Sequence, residues 1–333
     1  MPEAVPPTSL TTYTDKENPG GFSHIPALDG IRGFAILLVL VDHLLWANNH
    51  TGSPFLDLLG DLRSSAFIGV NLFFVLSGFL ITGILVNTVD IPRFFRTFYG
   101  RRALRIFPLY YACLLILIAL TKPLHFQWWG VQYYSLFYIA NIALWHHAYV
   151  NLGHFNINHF WSLQVEEQFY FVWPLVIYRV RKMETIIRIC LIGCAIVLGI
   201  RTFIAIMLLL HIFSNPYLTA SPTFSCADNL LYGCCLAILM RTHWRSDVLR
   251  FAPRVLGLCA IILVALAIPN RGLDCWPGTS PVACALIETL GFSLLGISAA
   301  ALVAMTLQPI VRKGGGFQMG FCKKGASFVF LAY

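Results

Sequence analysis

The chain has 333 residues, of which 58% are hydrophobic and only 11% charged, with a mean hydropathy of +0.72 and a formal net charge of +8. Soluble domains carry about a quarter charged residues, so this composition excludes an ordinary soluble enzyme and predicts an all-α bundle of membrane-spanning helices. The basic residues are spread between apolar runs, which argues against nucleic acid as a partner.

Residues 1–28 are polar and Pro-rich and read as a disordered cytosolic tail, without the apolar stretch and cleavage site of a signal peptide. From 29 to 333 the chain reads as one membrane domain with no visible internal repeat. Apolar runs near 31–48, 66–87, 106–121, 160–178, 186–210, 228–240, 255–269 and 282–307 are candidate spans. Several fall short of the roughly 20 residues a clean crossing needs, so the expectation is eight to nine spans. With a cytoplasmic N-terminus and alternating loops, 19 of the 23 Lys and Arg residues fall inside. Only Arg63, Lys122 and Arg271 fall outside, and Arg201 lies within a span. The positive-inside rule therefore predicts a cytoplasmic N-terminus.

The first run places Arg32 and His43 eleven residues apart. Eleven residues make three helical turns plus about 20°, so both side chains share one face about 16 Å apart. Ionisable groups inside a membrane span mark a functional site by default. The bland alternative is an Asp29 N-cap with Arg32 snorkelling to the surface, which leaves His43 unexplained. In the second run, small residues at 69, 77, 78 and 83 permit close helix packing. Packing is the first reading of Ser77, and a nucleophile the second.

Five arginines, Arg93, Arg96, Arg101, Arg102 and Arg105, lie within 13 residues beside the expected inner surface. Guanidinium forks suit phosphates, so Arg101, Arg102 and Arg105 are expected to bind a phosphate-rich donor. Anionic lipid is the competing partner. The segment 122–159 is aromatic and holds His125, His146, His147, His154 and His159. Within it, Tyr133 to Trp145 is too short for a span and predicts a re-entrant or interfacial helix.

The run His159 to Pro174 is the most polar of the membrane segments. Ser162, Glu166 and Tyr170 form an i, i+4 stripe, whereas Glu166 and Glu167 diverge by 100° and must face different partners. Structural pairing of these carboxylates with Arg201 and a substrate-binding role are both open. Six cysteines, Cys113, Cys190, Cys194, Cys234, Cys235 and Cys259, lie in apolar runs as small hydrophobes. Cys275 and Cys284 flank the last outer loop and can pair in an oxidising compartment. No CxxC or Cys/His spacing predicts a zinc site. Residues 325–333 read as the beginning of another span, cut short.

Taken together, ALDGIRG at 27–33 with His43, FFVLSGF at 73–79, RALRIFP at 102–108 and WSLQVEEQFY at 161–170 resemble the acyltransferase-3 family of membrane proteins. The resemblance implies a bundle of about ten helices, here C-terminally truncated, that moves acyl groups, commonly acetyl, from acyl-CoA to hydroxyls of extracytoplasmic glycans or lipid-linked saccharides. It implies a protein of the plasma (inner) membrane, with no permanently bound cofactor and acyl-CoA as co-substrate. It also makes the pair Arg32 and His43 essential. The run from Asp228 to Gly233 resembles a further family stretch, with Cys226 where the family has arginine. On this reading His43 is the general base and Glu166 holds the acceptor hydroxyl or the imidazolium. Glu167, Ser162, Tyr170, Ser77 and Asp228 serve the acceptor or the scaffold. The alternative from another class is a lipid or sugar transporter.

Overall fold

A computed structural model describes residues 26–44, 68–128, 130–143, 160–213, 223–268, 273 and 280–307. Among them the chain is all-helical and without strands. The helices are α1 (Pro26–Leu44), α2 (Ile68–Thr88), α3 (Phe94–Ala119), α4 (Val131–Leu136), α5 (Ala140–Ala143), α6 (Phe160–Val180), α7 (Met183–Leu209), α8 (Thr223–Leu239), α9 (Arg245–Ala267) and α10 (Pro281–Thr306). Within α10, Ile287–Gly291 forms a wide π turn.

Helix is the expected answer for such sequences, because a backbone in lipid must satisfy its polar groups within its own segment. Each of the eight apolar runs coincides with a helix. Five of these, α2, α3, α7, α9 and α10, are long and apolar enough to cross a membrane. The remaining three are shorter or carry more polar side chains. Helix α1 begins at Pro26, three residues inside the segment expected to be a tail, because proline is pre-organised for a first helical turn. Most of 1–28, all of 308–333 and the histidines between 146 and 159 lie outside the described residues.

Three helix pairs set the frame. Helices α2 and α8 cross in backbone contact. A methyl group on Gly78 would stand 2.0 Å from the Leu230 carbonyl oxygen, and one on Gly233 would stand 2.0 Å from that of Val75. The small residues read as packing positions thus include two, Gly69 and Gly78, where an added methyl group would run into backbone. Helix α6 lies parallel to α2: Phe74 meets Trp161 edge-on, Trp173 donates to Thr82 over 2.8 Å, and Asp90 pairs with Arg181. Helix α3 runs antiparallel to α6. Phe94 stacks on Tyr178, Tyr99 donates to the Phe171 carbonyl, and Tyr110 meets Phe160.

The expected single helix over Tyr133–Trp145 is instead two short ones, broken at Tyr138, whose φ is 56°. The physical reason is the docking of this segment onto two neighbours. Tyr110 and Tyr111 of α3 donate to the carbonyls of Ser135 and Leu136. From α6, the Gln164 side-chain oxygen accepts the Asn141 backbone N–H, and the Gln168 amide donates to the Tyr138 carbonyl and to Asn141. Cys284 stands in a disulfide, while Cys275, the partner expected for it, lies outside the described residues.

Candidate active site

The parallel register of α2 and α6 brings Ser77 to Glu166, and the serine hydroxyl donates to the carboxylate over 2.5 Å. Tyr170, one turn along α6, hydrogen-bonds the same carboxylate, as the i, i+4 stripe requires. Two guanidinium groups act electrostatically on it, Arg102 from α3 and Arg32 from α1. Three long helices thus deliver one cation, one carboxylate and two hydroxyls to one point inside an apolar bundle, while Arg32, 38% exposed, pairs with Asp29 at 3.4 Å on α1.

Glu167 faces elsewhere, as the 100° divergence predicts. It lies 4.0 Å from Arg102, whose guanidinium is stacked 3.4 Å over the Tyr170 ring. Ser162 is half-buried on the Glu166 face of α6. Of the expected donor trio, only Arg102 turns inward. Arg101 and Arg105, four residues apart on one helix face, are exposed. The antiparallel register puts Arg102 opposite Tyr170, at the middle of α6.

Asp228 and Arg201 do not join this cluster. They pair with each other at 2.5 Å, both fully buried, and Ser293 of α10 bonds to each of them. Arg201 is therefore not the partner of Glu166 or Glu167. Arg201 reaches Asp228 from the neighbouring helix α7, and Cys226 is a buried thiol.

Helix α1 carries His43 in its last turn, about 16 Å along the axis from Arg32; its side chain lies outside the described residues. Gly69 of α2 sits against Ala35 and Leu38, and Leu28 and Ile31 share a core cluster with Leu72, Val75, Leu76 and Phe79, so α1 and α2 run antiparallel and Ser77 stands about 12 Å further toward the Arg32 end. Glu166 is consequently a partner of Ser77 at the Arg32 end of α1.

One end of α2, α3 and α6 carries an open, surface-facing cavity of about 420 Å³ lined by Asp90, Arg93, Arg96, Arg181, Phe95 and Tyr178, among others, most of them exposed. Arg93 and Arg181 hold left-handed backbones, with φ of 61° and 53°. Both lie where one helix gives way to the next. The sequence reading counted Arg93 and Arg96 among the basic residues but assigned them no site, because the wall supplied by Tyr178 and Arg181 is remote in sequence.

A model of an acyltransferase domain, the acyltransferase-3 family, matches residues 25–323. The chain belongs to that family. The four motifs that carried the resemblance lie on α1, α2, α3 and α6. Among its relatives, YrhL of Bacillus subtilis, provisionally named a peptidoglycan O-acetyltransferase, is 32% identical over 65% of this chain and 33% of its own. The peptidoglycan O-acetyltransferase OatA of Listeria monocytogenes is 28% identical over 72% of this chain and 38% of its own. The O-acetyltransferase OatA of Staphylococcus aureus is 31% identical over 65% and 35%. The chain thus spans about a third of the length of the curated relatives it matches. No solved structure matches it.

Proposed function

We propose that this acyltransferase moves an acetyl group from acyl-CoA to a hydroxyl of an extracytoplasmic glycan, peptidoglycan being the acceptor that the relatives' names favour. The observation that carries the reading is the inward turn of Arg102 beside the Ser77–Glu166 pair, with Arg32 acting on the same carboxylate from the other end of the helix that ends in His43. Phosphates held between two guanidinium groups gain charge-assisted hydrogen bonds. A thioester reaching about 16 Å along α1 from there arrives at His43. A neutral imidazole takes the proton of the sugar hydroxyl as its oxygen attacks the thioester carbonyl, a contribution of about 10²–10⁴ in rate. The coenzyme A thiolate leaves and takes up a proton. The basic-residue distribution supports a cytoplasmic N-terminus and donor side in the plasma membrane.

A second reading rests on the Ser77–Glu166 hydrogen bond. In it the phosphates occupy the cavity at Arg93, Arg96 and Arg181, and Ser77 attacks the thioester while Glu166 accepts its proton. The coenzyme A thiolate leaves and takes up that proton, and the acyl-serine then passes its acyl group to the acceptor hydroxyl, whose proton returns to Ser77 through Glu166. The cavity residue Tyr178 and Glu166 are twelve residues apart on α6, about 18 Å, so either arrangement separates phosphate from thioester by a similar span.

The experiment is mass spectrometry of envelope glycans from cells with and without the intact gene. A lost acetyl mass supports the function. Unchanged glycans alongside altered lipid or sugar distribution across the membrane would favour a transporter instead.

A further inference from the structure

The open cavity where α2, α3 and α6 meet carries more positive charge than its own residues answer. Its lining holds three guanidinium groups, Arg93, Arg96 and Arg181, against one carboxylate, Asp90. Asp90 pairs with Arg181. The side chains of Arg93 and Arg96 have no ion-pair or hydrogen-bond partner among the described residues. They stand three residues apart at the start of α3, and both are exposed. Two unanswered like charges at one cavity repel each other, and a bound anion relieves the repulsion.

The same cavity opens onto an apolar seam between α3 and α6. Phe95, in its wall, has its ring 5.0 Å from that of Tyr178 and stacks on Tyr99 at 6.3 Å. Tyr99 in turn lies 6.2 Å from Phe171 and donates its hydroxyl to the Phe171 carbonyl. Phe171, Leu175 and Tyr178 follow one face of α6 at helical spacing and are 68%, 46% and 41% exposed. That stripe runs about 10 Å from the cavity toward the middle of α6. Water disfavours such a stripe and hydrocarbon accepts it. On a bundle whose long helices are apolar enough to cross a membrane, it faces lipid.

We infer that this cavity seats the phosphate of an anionic phospholipid, with an acyl chain lying along Phe171, Leu175 and Tyr178. Neither half of the site selects the ligand alone. A nucleotide phosphate matches the arginines and leaves the apolar stripe uncovered. A zwitterionic lipid covers the stripe but brings an ammonium to a cavity that already holds two unpaired cations. An anionic lipid answers both. Such lipids are concentrated in the cytoplasmic leaflet, the side to which the basic-residue distribution assigns this end of the helices. The site is separate from Arg102, which lies six residues, about 9 Å, along α3 from Arg96. It therefore stands beside direct transfer, with the donor phosphates at Arg102, and competes with the covalent reading, which puts those phosphates in the cavity. A lipid held here joins the start of α3 to the end of α6, the two helices whose register sets Arg102 on Tyr170.

The test uses the delipidated full chain in detergent, with phosphatidylglycerol and phosphatidylcholine of matched acyl chains as probes and native mass spectrometry as the measurement. The parent is expected to retain phosphatidylglycerol in preference to phosphatidylcholine. Arg93→Gln with Arg96→Gln is expected to weaken that retention about 25-fold, a factor of about five for each guanidinium. Arg250→Gln with Arg254→Gln, which removes two exposed arginines of α9, should leave it unchanged. Equal retention of the two lipids, undiminished retention in the cavity variant, or an equal fall in the α9 variant overturns the site. Coenzyme A is the competing arm. If it displaces phosphatidylglycerol from the parent and itself binds through Arg93 and Arg96, the cavity belongs to the donor and the lipid assignment fails. Should the double variant not fold, Arg96→Gln alone carries the test, with an expected fall of about fivefold. None of these measurements involves acetyl transfer, so their outcome is independent of the glycan reading.

Discussion

Arg201 and Asp228 meet 2.5 Å apart between α7 and α8 with neither side chain exposed. Ser293 closes the pair from α10, directly after the π turn at Ile287–Gly291. Two arginine nitrogens, Nε and Nη1, have no partner among the described residues. An ion pair in this setting is stable only while both charges are present, since each alone is an uncompensated charge in an apolar interior.

Asp228→Asn and Arg201→Leu are each expected to destabilise the detergent-solubilised protein by about 3–5 kcal/mol. The double variant Arg201→Leu with Asp228→Leu should recover most of that loss. Thermal unfolding in detergent reads both. A single variant with parental stability would mean that the pair is not a structural element.

His43 and Ser77 separate the two mechanisms. Under direct transfer, His43→Ala abolishes acetyl transfer while coenzyme A binding survives, and Ser77→Ala only weakens it. Under the covalent route, Ser77→Ala abolishes transfer, and an acylated peptide containing Ser77 appears in the parent on mass spectrometry. Parental rates in both variants would exclude both routes.

Donor affinity locates the phosphates. Loss of one guanidinium contact to a charged group costs about 1.5–3 kcal/mol. Arg102→Ala is expected to weaken coenzyme A binding by this amount if the phosphates sit beside Glu166. Arg93→Ala and Arg96→Ala should do so if they sit in the 420 Å³ cavity. Arg101→Ala and Arg105→Ala, on exposed positions, should change affinity little. A calorimetric titration across the five variants decides among them.

Gly78→Val should prevent α2 and α8 from docking, because even a methyl group there meets the Leu230 backbone at 2.0 Å. Overpacking typically costs about 1–3 kcal/mol, and a backbone obstacle cannot rotate away as a side chain does. Gly33→Ala, with open space around its position, is the control expected to leave stability within error. Folded yield from membranes measures both.

Much of this protein was legible in its residues alone. Apolar runs separated by basic turns announce helices in lipid, because the bilayer leaves the backbone no other economy of hydrogen bonds. The divergence of Glu166 from Glu167 and the sharing of a stripe by Glu166 and Tyr170 follow from 3.6 residues per turn and hold in the fold. Spacing along one helix does not, however, say which neighbour stands opposite. Ser77 and Glu166 are 89 residues apart, and Arg201 and Asp228 are joined across two helices. The turn of Arg102 into the bundle depends on the antiparallel register of α3 against α6. The break at Tyr138 depends on clamps from Tyr110, Gln164 and Gln168. These are decided by how helix faces pack, since the energy that selects a register is spread over many side chains and belongs to no single segment.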